Sequence, residues 1–141
     1  MRPIAPIAPI LLLTAAFAAA CAGNPEPGES GYPYNLTGRY QVDVVAEGTP
    51  YRGTVDLSTA PGGAVSGSFT ITEPTEIVGS VEGAIVADTL DFQMPYEILA
   101  NNCAGVVHGR GAIVEGGTGM SSAVRIDGCD GQLNATMTLT R

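Results

Sequence analysis

The chain has 141 residues, with six arginines and no lysine against 14 acidic residues, for a net charge of −8. Nothing in that balance neutralises phosphates, so a nucleic-acid binder is excluded. With 19 glycines and 10 prolines the chain is no long-helix or coiled-coil protein, and 45% hydrophobic content with 14% charge excludes a disordered one. What remains is a small, acidic, glycine-rich β protein.

Residues 1–20 read as a secretory signal. One charge, Arg2, precedes an uncharged stretch that holds Ile10-Leu11-Leu12-Leu13 and an alanine-rich run ending at Ala20. An uncleaved span is the rival, since about 18 apolar residues can cross a bilayer. Pro6 and Pro9 break the first half of any such helix. Ala18-Ala19-Ala20-Cys21 resembles the lipobox of bacterial lipoproteins, with Ala18 where leucine is commoner. The resemblance implies that Cys21 is acylated and becomes the new N-terminus, so that the membrane is a partner through a lipid anchor. Ordinary cleavage nearby, leaving Cys21 a free thiol, is the alternative. Ala22, rather than Asp, follows the cysteine; by resemblance to the sorting pattern of these lipoproteins, that implies the outer membrane of a Gram-negative cell. Ala22 to Tyr34 reads AGNPEPGESGYPY, without apolar periodicity. Such a segment buries too little to offset its ordering entropy. Residues 21–35 are therefore expected to be a lipidated cysteine and a flexible tether, spanning about 20 Å, and residues 36–141 the folded domain.

The three cysteines agree with this address. If Cys21 carries lipid, Cys103 and Cys129 remain as a pair for an oxidising compartment. Two thiols and the lone His108 make no tetrahedral zinc site, and neither cysteine sits in a CxxC redox motif. A structural disulfide is expected.

From Leu36 onward apolar and polar residues alternate, with turn residues about every ten positions. Tyr40, Val42 and Val44 begin the pattern. Val55 and Leu57 follow Gly48-Thr49-Pro50; Val65, Phe69 and Ile71 follow Ala60-Pro61-Gly62-Gly63. A fourth strand carries Ile77, Val81 and Ile85, and a fifth, after Ala87-Asp88, carries Leu90, Phe92, Met94 and Tyr96. The sixth is expected over residues 103–115, the seventh over 119–126, and the eighth carries Leu133, Ala135, Met137 and Leu139. Eight short-linked strands suit an antiparallel up-and-down barrel, which has no edges, with a two-sheet sandwich as the alternative. Gly53, Gly67, Gly79, Gly83, Gly105, Gly109 and Gly111 share parity with the apolar residues of their strands. Inward glycines let strands coil sharply, which favours the barrel.

Gly38-Arg39-Tyr40 resembles the G-x-W opening of lipocalin-like and avidin-like barrels, with Tyr in place of Trp. Cys103-Ala104-Gly105 and Cys129-Asp130-Gly131 look similar to the paired cysteines of small exported lipoproteins. These resemblances imply a scaffold and name no ligand.

Chemistry-bearing constellations are few. His108 shares the outward parity with Arg110, as an exposed histidine or as half of an anion contact. Gly119-Met120-Ser121-Ser122-Ala123 misses the nucleophile elbow by ending in alanine. Ile126-Asp127-Gly128-Cys129-Asp130-Gly131 lacks the ligand spacing of a calcium loop. No catalytic residue, metal ligand or cofactor is therefore expected, and the chain reads as a non-enzyme. The inward face carries polar tips only at the hydroxyls of Tyr40, Tyr51 and Tyr96. With Phe69 and Phe92 these are the candidate contacts for a small apolar ligand. Two functions stay open: a module binding a small ligand or a partner protein, and a structural envelope protein with a packed, empty-handed barrel.

Overall fold

The computed structural model describes Pro3 and residues 23–141. Cys21 and, apart from Pro3, the expected signal lie outside those residues. Eight strands follow one another: β1 (Gly38–Ala46), β2 (Thr49–Thr59), β3 (Ala64–Glu73), β4 (Ile77–Val86), β5 (Thr89–Ile98), β6 (Cys103–Ile113), β7 (Gly119–Gly128) and β8 (Gly131–Thr140). Each pairs antiparallel with the next, and β1 pairs with β8 through partners such as Val42 and Leu139. That last ladder closes the barrel and removes the sandwich alternative.

Three strand limits differ from expectation. β2 begins at Thr49 rather than after Pro50, because Thr49 and Pro50 pair with Ala46 and Val45 of β1. β6 stops at Ile113 because Val114 and Gly117 are joined in a turn, the Gly117 amide donating to the Val114 carbonyl at 2.9 Å. β7 runs on to Gly128, since Asp127 pairs with Gln132 and Gly128 with Gly131. The β7–β8 turn is thus only Cys129-Asp130, relieved by Gly131 at φ +103°.

Alternation puts Val42, Val55, Phe69, Val81, Leu90, Phe92, Met137 and Leu139 in one core. Their neighbours along each strand, such as Gln41, Thr54, Asp56, Ser68, Asp91 and Thr138, are exposed. An apolar inside with a polar outside is the reverse of a membrane-spanning barrel. The inward glycines sit opposite large inward side chains. Gly109 pairs with Phe92, whose ring covers it so closely that a Cβ there would lie 2.5 Å from Phe92 Cζ. This pairing of an aromatic with a glycine across strands is how a sharply coiled sheet keeps its interior filled.

The end of the barrel formed by the β2–β3, β4–β5 and β6–β7 connections is closed. The segment read as a tether makes specific contacts there, which corrects that reading from Pro27 onward. The Gly62 amide donates to the Pro27 carbonyl (3.1 Å), the Gly116 amide to the Pro33 carbonyl (2.7 Å), and the Tyr32 hydroxyl to the Ala87 carbonyl. Asn35 holds the bend: its Oδ1 accepts from the Gly28 amide and its Nδ2 donates to the Glu29 carbonyl, both at 2.8 Å. Leu36 is wholly buried, with its backbone satisfied in both directions by Thr59 Oγ1. Tyr32, Tyr34 and Leu36 alternate, a strand-like signal that the surrounding Pro, Gly and Glu masked.

Candidate functional site

Burial along the inward face is graded. Toward the closed end and the waist, Tyr40, Val55, Leu90 and Met120 are 1% exposed, and the void left among the waist side chains is about 10 Å³. That is at the lower limit for one water. At the opposite end, where the β1–β2, β3–β4, β5–β6 and β7–β8 hairpins turn, the inward residues Val44, Tyr51, Tyr96, Ile98, Val107, Ile126 and Leu133 are only half-buried. Among the described residues, no segment crosses this end as residues 27–36 cross the other. The result is a cavity of about 190 Å³ that opens between the hairpins and is lined by these residues together with Phe69, Met94 and Met137.

The mouth is built by sulfur and short backbone. Cys103, buried at the start of β6, is disulfide-bonded to the exposed Cys129 in the β7–β8 turn, with Cα atoms 5.7 Å apart. The expected pairing is therefore present, and both cysteines border the cavity. Beside them the Tyr96 side chain passes over two glycines. A Cβ on Gly105 would lie 2.5 Å from Tyr96 Cζ, and one on Gly128 would lie 2.6 Å from its hydroxyl. Only glycine at both positions lets the ring reach this place. Burial pushes the Tyr96 hydroxyl above the ordinary tyrosine range, and the nearby Asp130, Tyr51 and Asp127 push it further. It is thus a protonated donor at neutral pH, close to the Asp130 carboxylate that also borders the opening.

The five aromatic candidates separate by height in the barrel. Tyr51, Phe69 and Tyr96 line the cavity. Phe92 does not; it fills the waist over Gly109. Tyr40 lies at the closed end, where its hydroxyl donates to the Gly117 carbonyl at 2.7 Å. The Arg141 guanidinium lies 5.0 Å above its ring and donates to its hydroxyl at 3.1 Å. Burial raises the Tyr40 hydroxyl as well, with Arg141 partly offsetting it. Tyr40 is a structural latch, and its inward parity alone gave no hint of which end it occupied. Ile126 and Val44 line the cavity as well, and their signal in the sequence is inward parity within three residues of a hairpin turn.

The polar residues outside the cavity pair locally. His108 and Arg110 share no partner: His108 Nε2 lies 3.4 Å from Asp127 Oδ2, and Arg110 Nη2 lies 3.2 Å from Asp91 Oδ2. Ser122, the buried serine of the near-miss elbow, donates its hydroxyl to the Ala123 carbonyl at 2.8 Å and faces Gly109. Among the described residues, no three His, Cys, Asp or Glu side chains converge as metal ligands do.

No protein-family model and no curated protein matches the chain. Solved structures do. A redesigned β-barrel, b11L5F_LGL, is 22% identical with a TM-score of 0.60, covering 75% of this chain and 90% of its own. Another, mFAP1, solved bound to DFHBI, is 22% identical with a TM-score of 0.58, covering 75% and 94%. EF1p2_mFAP2b, also bound to DFHBI, is 20% identical with a TM-score of 0.63, covering 75% and 93%. At these identities the likeness is one of fold.

Proposed function

We propose that the protein is an exported, lipid-anchored binding module whose barrel takes one small, mainly apolar ligand through the hairpin end. The observation that carries the reading is the cavity of about 190 Å³ in an otherwise close-packed barrel. A barrel of eight strands is wide enough either to be filled by its own side chains or to hold one small molecule. Here the waist is filled and the hairpin end is not. An apolar void of about 150 Å³ accepts a benzene-sized guest, so this one suits a one- or two-ring body or a short branched chain. Two neighbours in fold, mFAP1 and EF1p2_mFAP2b, hold DFHBI, which supports the capacity of the scaffold without naming this chain's ligand. The reading is not of an enzyme: Ser122 lies inside the barrel over Gly109 with its hydroxyl given to the Ala123 carbonyl, His108 lies on the outer wall beside Asp127, and neither lines the cavity.

The anchor reading gains a direction from the fold. Residues 27–36 enter at the closed end, so acylation at Cys21 would set that end toward the bilayer and the mouth away from it. The ligand would then be taken from the aqueous side of the envelope, with the outer membrane of a Gram-negative cell as the proposed location. Intact mass of membrane-extracted protein should show a chain that begins at Cys21 with added acyl mass, and Cys21→Ser should release it; an unmodified soluble chain in the wild type refutes the anchor. Binding is tested by titration with an uncharged, environment-sensitive apolar dye, with saturation at one per chain expected. Absence of saturable binding would return the protein to the structural reading.

A further inference from the structure

The charges around the mouth bear on what the cavity admits. The four hairpins at the open end carry Glu47, Glu73, Glu76 and Asp130, all exposed, and no basic residue. The arginines nearest this end, Arg52 and Arg125, lie on the outer wall, 3.3 Å from Asp43 and from Asp127 respectively. His108 is also on the outer wall and also faces Asp127. Arg39, Arg110 and Arg141 belong to the closed half, where they meet Asp56, Asp91 and Tyr40. A ligand head seated at the opening therefore meets carboxylates and no cation among the described residues. Asp130 borders the cavity itself, and the rings of Tyr51 and Tyr96 form part of its wall just inside. Aromatic faces beside a carboxylate attract a cation by the ring quadrupole and by direct charge. The same field repels a carboxylate or phosphate head. An apolar body with an anionic end, such as a fatty acid, would place its charge among like charges with nothing to pair it.

Resting on the binding reading above, we infer that the cavity selects small amphiphiles whose apolar body enters the barrel and whose ammonium group stays at the mouth against Asp130. Anions of the same shape are discriminated against.

The test uses the purified full chain and three molecules that share one body: 2-naphthylmethylamine, 2-naphthylmethanol and 2-naphthoate. The amine should bind about tenfold more tightly than the alcohol, as an exposed ion pair and a cation–π contact together allow, and the carboxylate more weakly than either. Added salt should narrow the spread, since exposed charges are screened within about 10 Å at 0.1 M. Asp130→Asn should remove most of the advantage of the amine over the alcohol, and a cooperative thermal melt reports that the variant folds. Glu115→Gln makes the same change in net charge at the closed end and should leave the order of the three intact. If 2-naphthoate binds as tightly as the amine, or if Asp130→Asn leaves their ratio as it was, the charge selection is overturned and the binding reading stands. If none of the three binds saturably, both fall.

Discussion

Leucine-to-alanine substitution at two heights of the barrel separates a packed half from an open one. Leu90 is 1% exposed and lies among the waist side chains, where the existing void is about 10 Å³. Truncation there removes three carbons from a fully buried site, about 2.4 kcal/mol at roughly 0.8 kcal/mol per methylene. A residual hole adds about 24 cal/mol per Å³, so the total should be about 4 kcal/mol. Leu133 has the same chemistry but is half-buried and already faces the cavity of about 190 Å³. Its truncation forfeits about half the transfer term and creates no new closed hole, which leaves about 1 kcal/mol. The two variants should differ by about 3 kcal/mol, or upward of roughly 12 °C in Tm for a domain of this size. Urea denaturation with the disulfide intact measures both on one chain. Leu133→Ala should in addition keep dye binding and admit a bulkier dye. Equal losses, or a larger loss at Leu133, would refute the claim that the hairpin end is the loosely filled one.

Gly109→Ala should cost about 1–3 kcal/mol by overpacking, because the new methyl would lie 2.5 Å from Phe92 Cζ and 2.8 Å from Ser122 Oγ; a silent substitution in thermal melts would contradict the covered-glycine packing. Removing the disulfide by Cys103→Ser with Cys129→Ser should lower stability by about 3.5 kcal/mol in the chain-entropy model, given a sequence separation of 26. It should also weaken ligand binding, since both cysteines border the mouth; unchanged urea midpoints would refute the stabilising role. Burial raises the hydroxyls of Tyr40 and Tyr96 above the ordinary value of 10.0. The folded state then holds these protons more tightly than the unfolded chain, so their contribution is complete below about pH 10 and is lost as pH climbs through the raised values. Denaturation midpoints followed from neutral to strongly alkaline pH, beside a spectroscopic tyrosine titration, should show that loss, and Tyr40→Phe should remove part of it.

Much of the barrel was legible because the signals that specify it are local. A side-chain period of two assigns Val42, Phe69, Phe92 and Met137 to one face without knowledge of any partner strand. Gly48 and Pro61-Gly62-Gly63 end the strands by their own backbone preferences, with Gly48, Gly62 and Gly63 all at positive φ. The seven glycines of inward parity carried the choice of barrel over sandwich, because only a strongly coiled sheet needs bare backbone on its inner face. Cys103 and Cys129 could be paired by elimination once Cys21 was assigned to lipid.

Height along the barrel axis is not a local property, and there the sequence was silent. Tyr40 and Tyr96 have the same parity, yet one latches the closed end and the other borders the mouth. Which it is depends on where β1 and β5 start relative to their neighbours, that is, on registers summed around eight strands. The cap formed by residues 27–36 was hidden for a related reason. Its Pro, Gly and Glu content resembles a solvated linker, and its burial comes from the turns of β2–β3 and β6–β7, which are distant in sequence. The empty volume was least legible of all. It is the difference between the space that eight strands enclose and the side chains that fill it, and that difference exists only once the ring has closed and one end has been covered.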